Sequence, residues 1–314
     1  MYDVAIIGVG PAGMTAAVYT ARKSLNTLVV GQYIGGQMAE SLWVENGPGH
    51  APSTGVDLTD KFYQQMLQQG AHHQFDEVVD MERIGDDYRL HTKLGKAYEA
   101  RAVIVASGTQ PRSLNVPGEE EFRGRGISHC TTCDAPAFID AAGPKPNVGI
   151  IGGGNSGLLA AVELMPMADQ MYIVSLDPWW GDEVYQAKLK TNPNVREYSQ
   201  YVVERFNGSE RLESMTIRRA EDDGDPGANG RIILPVRAVF VEIGSVPTGD
   251  FTDGLVEKMR GGAIVVDQFG QTSAPGVFAA GDVTGPRDKE IATAVGQGAT
   301  AALTAFEYLS QKQE

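Results

Sequence analysis

One short pattern occurs twice in this chain, and it constrains the fold more than any other feature. Val4-Ala5-Ile6-Ile7 is an apolar run that ends in Gly8-Val9-Gly10-Pro11-Ala12-Gly13. Asn147-Val148-Gly149-Ile150-Ile151 ends in Gly152-Gly153-Gly154-Asn155-Ser156-Gly157, 144 residues further on. A short continuous apolar run bounded by glycine reads as a buried parallel strand. Each loop opens into a segment of helical composition, Met14 to Arg22 in the first copy and through Met165 in the second. A second apolar strand then follows, Thr27–Val30 and Met171–Val174 respectively. Strand, glycine loop, helix, strand is the opening of a dinucleotide-binding unit. Its glycines permit a tight turn and a close backbone approach to a pyrophosphate, and the helix start offers free N–H groups and a positive dipole end. Two copies predict an α/β chain with two nucleotide-binding, Rossmann-like three-layer domains.

Length and composition agree with that reading. The 314 residues suffice for two domains, and 42% hydrophobic content can fill two cores. The 38 glycines gather in short motifs rather than in repeats. No run approaches the roughly 18 apolar residues of a membrane span. The start, MYDVAIIGVGPAG, has no basic leader, so the expected compartment is the cytoplasm. A net charge of −14 argues against a nucleic-acid partner, which needs a basic footprint. Between and after the two copies, Ala102–Ala106 reads as a strand ending in Ser107-Gly108-Thr109, and Gly276–Ala280 as one ending in Gly281-Asp282. An alanine-rich last helix is expected over Ile291–Gln311, and Ala220–Gly230 is a polar turn between strands.

The only two cysteines are Cys130 and Cys133, in Cys130-Thr131-Thr132-Cys133. A disulfide closing so short a loop would stabilise little. Two thiols cannot supply four zinc ligands, and His50, His72, His73, His91 and His129 show no zinc-like spacing with them, so no metal is expected. A redox dithiol and two incidental thiols stay open. Sulfurs this close can form a reversible disulfide, and thiolates are the nucleophiles of exchange. His129 could lower a thiol pKa or be a partly exposed structural histidine.

Further motifs carry a resemblance. The second strand of the first copy ends in Gly31, not in an acid for a ribose, but Gly35-Gly36-Gln37 follows. Then come Val44-Glu45-Asn46 before Gly47-Pro48-Gly49, the run Gly118-Glu119-Glu120 through Gly124-Arg125-Gly126 into Cys130–Asp134, and Gly281-Asp282-Val283. Over nearly its whole length the chain resembles the low-molecular-weight thioredoxin reductase family. The resemblance implies FAD at the first loop, held by Gly8, Gly10, Pro11, Ala12 and Gly13, with Gly35, Gly36, Gln37, Asn46 and Gly108. It adds Gly281, Asp282 and the helix start at Ile291, although Lys289-Glu290-Ile291 departs from the family's basic-Gln-Ala stretch. It implies an inserted second domain: residues 1–114 and 248–314 bind FAD, and residues 115–247 carry the cysteines. The crossings near Leu114–Gly118 and Gly244–Thr248 would be hinges. Cys133 would face the flavin, Cys130 would attack a thioredoxin-like partner's disulfide, and Asp134 would move the proton. The resemblance also implies a homodimer.

The second loop is where the chain departs from the NADPH-using members. Gly152, Gly154, Asn155, Ser156 and Gly157 keep the nucleotide-binding pattern. The family's His-Arg-Arg stretch for the 2′-phosphate is replaced by Ser175-Leu176-Asp177-Pro178-Trp179-Trp180-Gly181, which has no cation. Charge-assisted arginine contacts are the strong ones for a phosphate, and Asp177 would repel it, so NADPH is not expected. Three readings stand. Asp177, 20 residues after Gly157, suits an unphosphorylated ribose and hence NADH. A vestigial site, with electrons arriving from a carrier such as ferredoxin, is the second. Thirdly, Trp179 and Trp180 could stack on a second FAD or another aromatic ligand, against the plainer reading of a packed turn. The expected function is an FAD-dependent disulfide oxidoreductase acting without NADPH. The alternatives are an NAD(P)H-dependent thioredoxin reductase, a dithiol oxidase running in reverse, a flavin-binding redox sensor, and an NAD(P)H-dependent flavin reductase with idle cysteines.

Overall fold

A strand with neighbours on both edges and layers on both faces needs an apolar residue at every position. Val4, Ala5, Ile6 and Ile7 meet that need, each at most 4% exposed. The computed structural model describes the whole chain except residues 42–43, 130, 140–142, 222–229 and 313–314. Its elements begin with β1 (Tyr2–Ile7), α1 (Pro11–Arg22), β2 (Thr27–Val30), α2 (Gln37–Glu40) and α3 (Gly55–Gln68). Next come β3 (His72–Gln74), β4 (Val78–Ile84), β5 (Asp87–Thr92), β6 (Ala97–Val105), β7 (Thr109–Pro111) and β8 (Ile127–Ser128). The middle of the chain forms α4 (Thr131–Phe138), β9 (Val148–Ile151), α5 (Asn155–Leu164), β10 (Met171–Ser175), α6 (Glu183–Lys190) and β11 (Val195–Ser199). Then follow β12 (Tyr201–Gly208), β13 (Leu212–Arg219), β14 (Ile232–Pro235), β15 (Ala238–Val241), β16 (Ser245–Pro247), β17 (Val277–Ala279) and α7 (Ile291–Gln311).

The chain divides into two compact units, Met1–Gln110 with Val246–Glu314, and Pro111–Ser245. The second is thus inserted in the sequence of the first. The stretch Leu114–Gly118 falls inside the second unit, where Glu119 accepts the N–H groups of Leu114 and Asn115 at 3.0 and 2.7 Å.

In the first unit β3, β2, β1 and β6 lie side by side and parallel. Strand β6 is longer than its apolar tail suggests. Its first half pairs antiparallel with β5, and its second half pairs parallel with β17 along the same edge. The first half is exposed or part-exposed at every position but Ala100, so only Ala102–Val105 read as an apolar run. Helices α1, α3 and α7 pack a core of Val4, Ile6, Ile104 and Met14 on one face of this sheet. Leu28, Val103, Tyr88 and Ile264 belong to the core of the other face.

The second unit repeats the parallel plan with β11, β10, β9, β15 and β8. One face packs against α4, α5 and α6 through Ala135, Leu158 and Leu189. The other packs against the antiparallel sheet β12-β13-β14 through Phe206, Met215 and Leu234. Each unit is a nucleotide-binding-type fold, and the expected α/β architecture is present. The polar turn expected over Ala220–Gly230 is flanked by β13 and β14, and residues 222–229 of it lie outside the described residues.

Small residues let α1 and α7 approach closely. A Cβ on Gly298 would lie 2.2 Å from the carbonyl oxygen of Ala12, while one on Gly296, two residues earlier on α7, would meet nothing within 4 Å. The two glycines should therefore respond oppositely to alanine. Gly298→Ala is expected to destabilise the apoprotein by about 1–3 kcal/mol through overpacking against backbone. Gly296→Ala is expected to stabilise it by up to about 1 kcal/mol through helix propensity. Urea unfolding of the two variants beside the wild type reads both signs.

Candidate active site

The first glycine loop is shaped by what stands behind it. Gly8 has φ +113°, and a Cβ there would come within 2.2 Å of the Ala106 carbonyl oxygen, just past the end of β6. A Cβ on Gly13 would come within 2.0 Å of the Gly8 carbonyl oxygen. These two contacts seat the start of α1 directly on the carboxyl ends of β1 and β6. Between them Gly10 caps α1 in extended conformation, and nothing lies within 4 Å of where its Cβ would be. Pro11 opens the helix and no side chain caps it. The first-turn N–H groups thus face an open seat, the arrangement that receives a pyrophosphate. Gly31 has its own steric reason: a Cβ there would press on Val9 Cγ2 at 2.5 Å. An acid at that position has no room.

Most of the remaining first-unit residues converge on the same strand ends. Gly35 N–H donates to the Val9 carbonyl at 2.7 Å, which brings Gly36 and Gln37 beside the loop. Gln37 Nε2 donates to the carbonyl oxygen of Thr109 at 2.7 Å and to its hydroxyl at 3.2 Å. Gly108, with φ +70°, accepts the Thr248 N–H and keeps the space above it clear. Gly281 N–H donates to Gln297 Oε1 at 2.8 Å, and a Cβ on Gly281 would touch the Ala12 methyl at 2.9 Å. Asn46 Nδ2 donates to Glu290 Oε2 at 2.9 Å, directly before the uncapped start of α7 at Ile291. Burial pushes the Asp282 carboxyl above the usual range, against the pull of Lys289 and a hydrogen bond from Thr109. An uncapped helix, an open middle glycine and a half-buried carboxyl group fit the pyrophosphate and hydroxyl groups of FAD. Thr109 and Gln297 were missed in the sequence. Gln297 is the one long polar side chain in the first half of α7, among alanine, glycine and threonine, and that contrast was the available signal.

In the second unit the cysteine motif lies at the start of α4. Cys130 falls outside the described residues, and Cys133 belongs to the first turn of the helix. Ser128 Oγ donates to Asp134 Oδ2 at 2.6 Å. Thr131 Oγ1 donates to Glu242 Oε1 at 2.8 Å, tying the helix start to the end of β15. His129 is more enclosed than a partly exposed histidine. Its side chain is 7% exposed, 3.7 Å from Glu119, with Arg123 beside Nε2 at 3.5 Å. Burial first, then Arg123, holds its pKa below the usual value. Its Nδ1 has no partner among the described residues. Glu242 was not singled out in the sequence, because its link to Thr131 spans 111 residues.

The second glycine loop keeps its form. Gly154 caps α5, and Asn155, Ser156 and Gly157 open the helix. Asp177 stands exposed just after β10, where Ser175 Oγ donates to its backbone carbonyl at 2.7 Å. Trp179 is buried and Trp180 exposed. Among the described residues no helix is long and apolar enough to cross a membrane.

Asp282 generates a pH-dependent expectation. A carboxyl whose folded pKa is raised contributes most below its unfolded value, and that contribution is lost as pH rises through the folded value. The cost therefore falls on the apoprotein at neutral pH. Asp282→Asn is expected to raise the apoprotein melting temperature at pH 7, with the gap closing toward pH 3.8, the group's ordinary pKa. The same change should weaken FAD binding. Melting curves across pH, and FAD retention on gel filtration, check the two signs.

Residues 2–298 match the pyridine nucleotide-disulphide oxidoreductase family. The chain is 35% identical to the Bacillus subtilis protein named NADH dehydrogenase, over 98% of this chain and 58% of that one. In Escherichia coli the match is to an alkyl hydroperoxide reductase subunit, 34% identical, with the same coverage of 98% and 58%. The chain thus spans 58% of the length of both relatives. Among solved structures, thioredoxin reductase from Streptococcus pyogenes superposes with a TM-score of 0.85 at 32% identity, over 99% of each chain. The atypical thioredoxin reductase TRi from Desulfovibrio vulgaris Hildenborough gives 0.53 at 28%, again over 99% of each. With a glycine-loop site in the first unit and a family match running from residue 2 to residue 298, the chain belongs to the pyridine nucleotide-disulphide oxidoreductase family and has a thioredoxin reductase-like fold.

Proposed function

We propose that this protein is an FAD-dependent disulfide oxidoreductase that passes electrons between flavin and the Cys130–Cys133 pair, and between that pair and a thioredoxin-like protein, without NADPH. The observation that carries this reading is the construction at the start of α4. Cys133 lies in the first turn of that helix, next to Asp134, whose carboxylate is held by Ser128 at 2.6 Å. A helix start favours a thiolate, and a fixed neighbouring carboxyl can give and take its proton. Bound FAD would supply a two-electron carrier, seated on the Gly8–Gly13 loop with Gln37, Asn46 and Asp282 around it.

The protein's own residues then perform thiol–disulfide exchange. The Cys130 thiolate attacks one sulfur of the partner's disulfide. That disulfide breaks, a mixed disulfide forms, and the departing sulfur takes a proton. Cys133 attacks Cys130 in turn, the mixed bond breaks, and the second partner sulfur leaves with a proton relayed through Asp134. The partner has gained two electrons and the pair is left as a disulfide. A homodimer in the cytoplasm belongs to the same proposal, by the resemblance that suggests the partner.

The second unit bears on the donor. Ser175–Gly181 contains no cation for a 2′-phosphate, and Asp177 adds a negative charge there. A ferredoxin-like carrier delivering electrons to the flavin is the favoured reading. NADH is the second reading, supported by the exposed Asp177 just after β10. Anaerobic titration of the FAD-loaded protein distinguishes them by flavin bleaching. Reduced ferredoxin is expected to bleach and neither NADH nor NADPH is; bleaching by NADH and not by ferredoxin would select the second reading, and rapid bleaching by NADPH would overturn the donor assignment. Cys133→Ser is expected to keep FAD but lower transfer to a disulfide partner by at least about a hundredfold, the scale on which loss of a reacting group acts. Normal transfer in that variant would sink the mechanism.

A further inference from the structure

The two glycine loops are near copies in backbone, so each serves as a control for the other. Gly8 and Gly152 both have positive φ, +113° and +135°. A Cβ on either would strike the carbonyl oxygen at the end of a neighbouring strand, Ala106 at 2.2 Å and Glu242 at 2.3 Å. Cβ atoms on Gly13 and Gly157 would strike the oxygens of Gly8 and Gly152 at 2.0 and 2.3 Å. Gly10 and Gly154 cap their helices at φ −84°, ψ −177° and φ −89°, ψ −174°. The surroundings part at this middle glycine. Nothing lies within 4 Å of a Cβ on Gly10, whereas one on Gly154 would lie 2.5 Å from Cζ2 and 2.7 Å from Cη2 of Trp180. The indole rests where the first loop leaves open space.

We propose that Trp180, carried on the turn Trp179–Asp182, is a built-in plug in the pyrophosphate seat of the second unit and is the residue that refuses dinucleotides there. The turn is anchored on every side. The N–H groups of Trp180 and Gly181 donate to the Gly153 carbonyl at 3.0 and 3.2 Å. The N–H of Asp182 donates to Asn155 Oδ1 at 2.7 Å, so a side chain at the helix start serves the turn. Gln186 Nε2 on α6 donates to the carbonyl oxygens of Gly181 and Trp179 at 2.7 and 3.3 Å. Trp179 is packed into the helix-side core below. A Cβ on Gly181 would lie 3.0 Å from the Gly154 carbonyl carbon, so the turn backbone itself sits on the loop.

Stability does not account for the placement of Trp180. At 72% exposure the indole buries little apolar surface, and burial is what an aromatic side chain contributes. What it does is exclude an anion. A pyrophosphate approaches the middle glycine at backbone contact, and an indole lying there leaves it neither the space nor the N–H groups. The inference rests on the reading that NADPH is not the donor, and it extends that reading. Loss of the cations removes the grip on a 2′-phosphate, and the plug refuses the unphosphorylated dinucleotide as well.

Calorimetric titration of the FAD-loaded full-length protein with ADP-ribose, which carries the pyrophosphate and cannot reduce flavin, tests the plug. Wild type is expected to show no saturation at millimolar ADP-ribose. Trp180→Ala, at an exposed position, should bind at least tenfold more tightly, and Trp180→Phe should fall between. Equal affinity in wild type and Trp180→Ala would overturn the inference, as would micromolar binding by the wild type. The donor reading fails on a separate signal, bleaching of wild-type flavin by NADPH. A silent wild type with no gain in Trp180→Ala would therefore sink the plug alone.

Discussion

At the carboxyl end of β1 the chain must pass between a neighbouring strand and the helix that follows it, and no Cβ fits. The carbonyl oxygen of Ala106 and that of Gly8 itself stand 2.2 and 2.0 Å from where Gly8 and Gly13 would carry one. Overpacking of that kind cannot be relieved by a rotamer change, because both obstacles are backbone. Accepting glycine at both positions brings the start of α1 down onto the strand ends. From that contact follow the uncapped N–H groups facing open space. The second unit obeys the same constraint through Gly152 and Gly157.

This constraint was legible in the sequence because it is local. A strand buried on both faces has to be apolar at each position, as Val4–Ile7 and Val148–Ile151 are, and glycines at the loop have to be spaced as the turn requires. The antiparallel elements were harder to read. Strand β4, Val-Val-Asp-Met-Glu-Arg-Ile, buries only Val78 and Met81, and β12 is bent by an irregularity between Val203 and Arg205. Alternation that weak is hard to tell from a polar loop. The absence of an acid at Gly31 was visible in the sequence, but its cause, Val9 at 2.5 Å, required the packed structure.

Side-chain partners far apart in sequence were not legible at all. Asn46 meets Glu290 across 244 residues, and Thr131 meets Glu242 across 111. Each of these carboxylates lies just after a strand end or just before a helix start, so only the folded order of the strands brings the partners together. His129, by contrast, is enclosed by near neighbours in the chain, Glu119 and Arg123, where a neutral ring is favoured. A histidine disfavoured as a cation loses stability as pH falls through its ordinary value, whereas Asp282 in the other unit costs stability as pH rises. The two units thus carry opposite electrostatic liabilities, each at a site the fold does not need for its core.

The pair of loops also separates what a fold provides from what a site does. The backbone at Gly10 and Gly154 differs by only a few degrees, and the obstacles behind both loops are the same kind of carbonyl oxygen. By fold alone both loops should bind a dinucleotide. One side chain on an anchored turn distinguishes them, and it acts from 26 residues beyond the glycine it covers. A glycine pattern read along the sequence therefore reports that a seat has been built, while what lies over the seat is written on the next strand's turn.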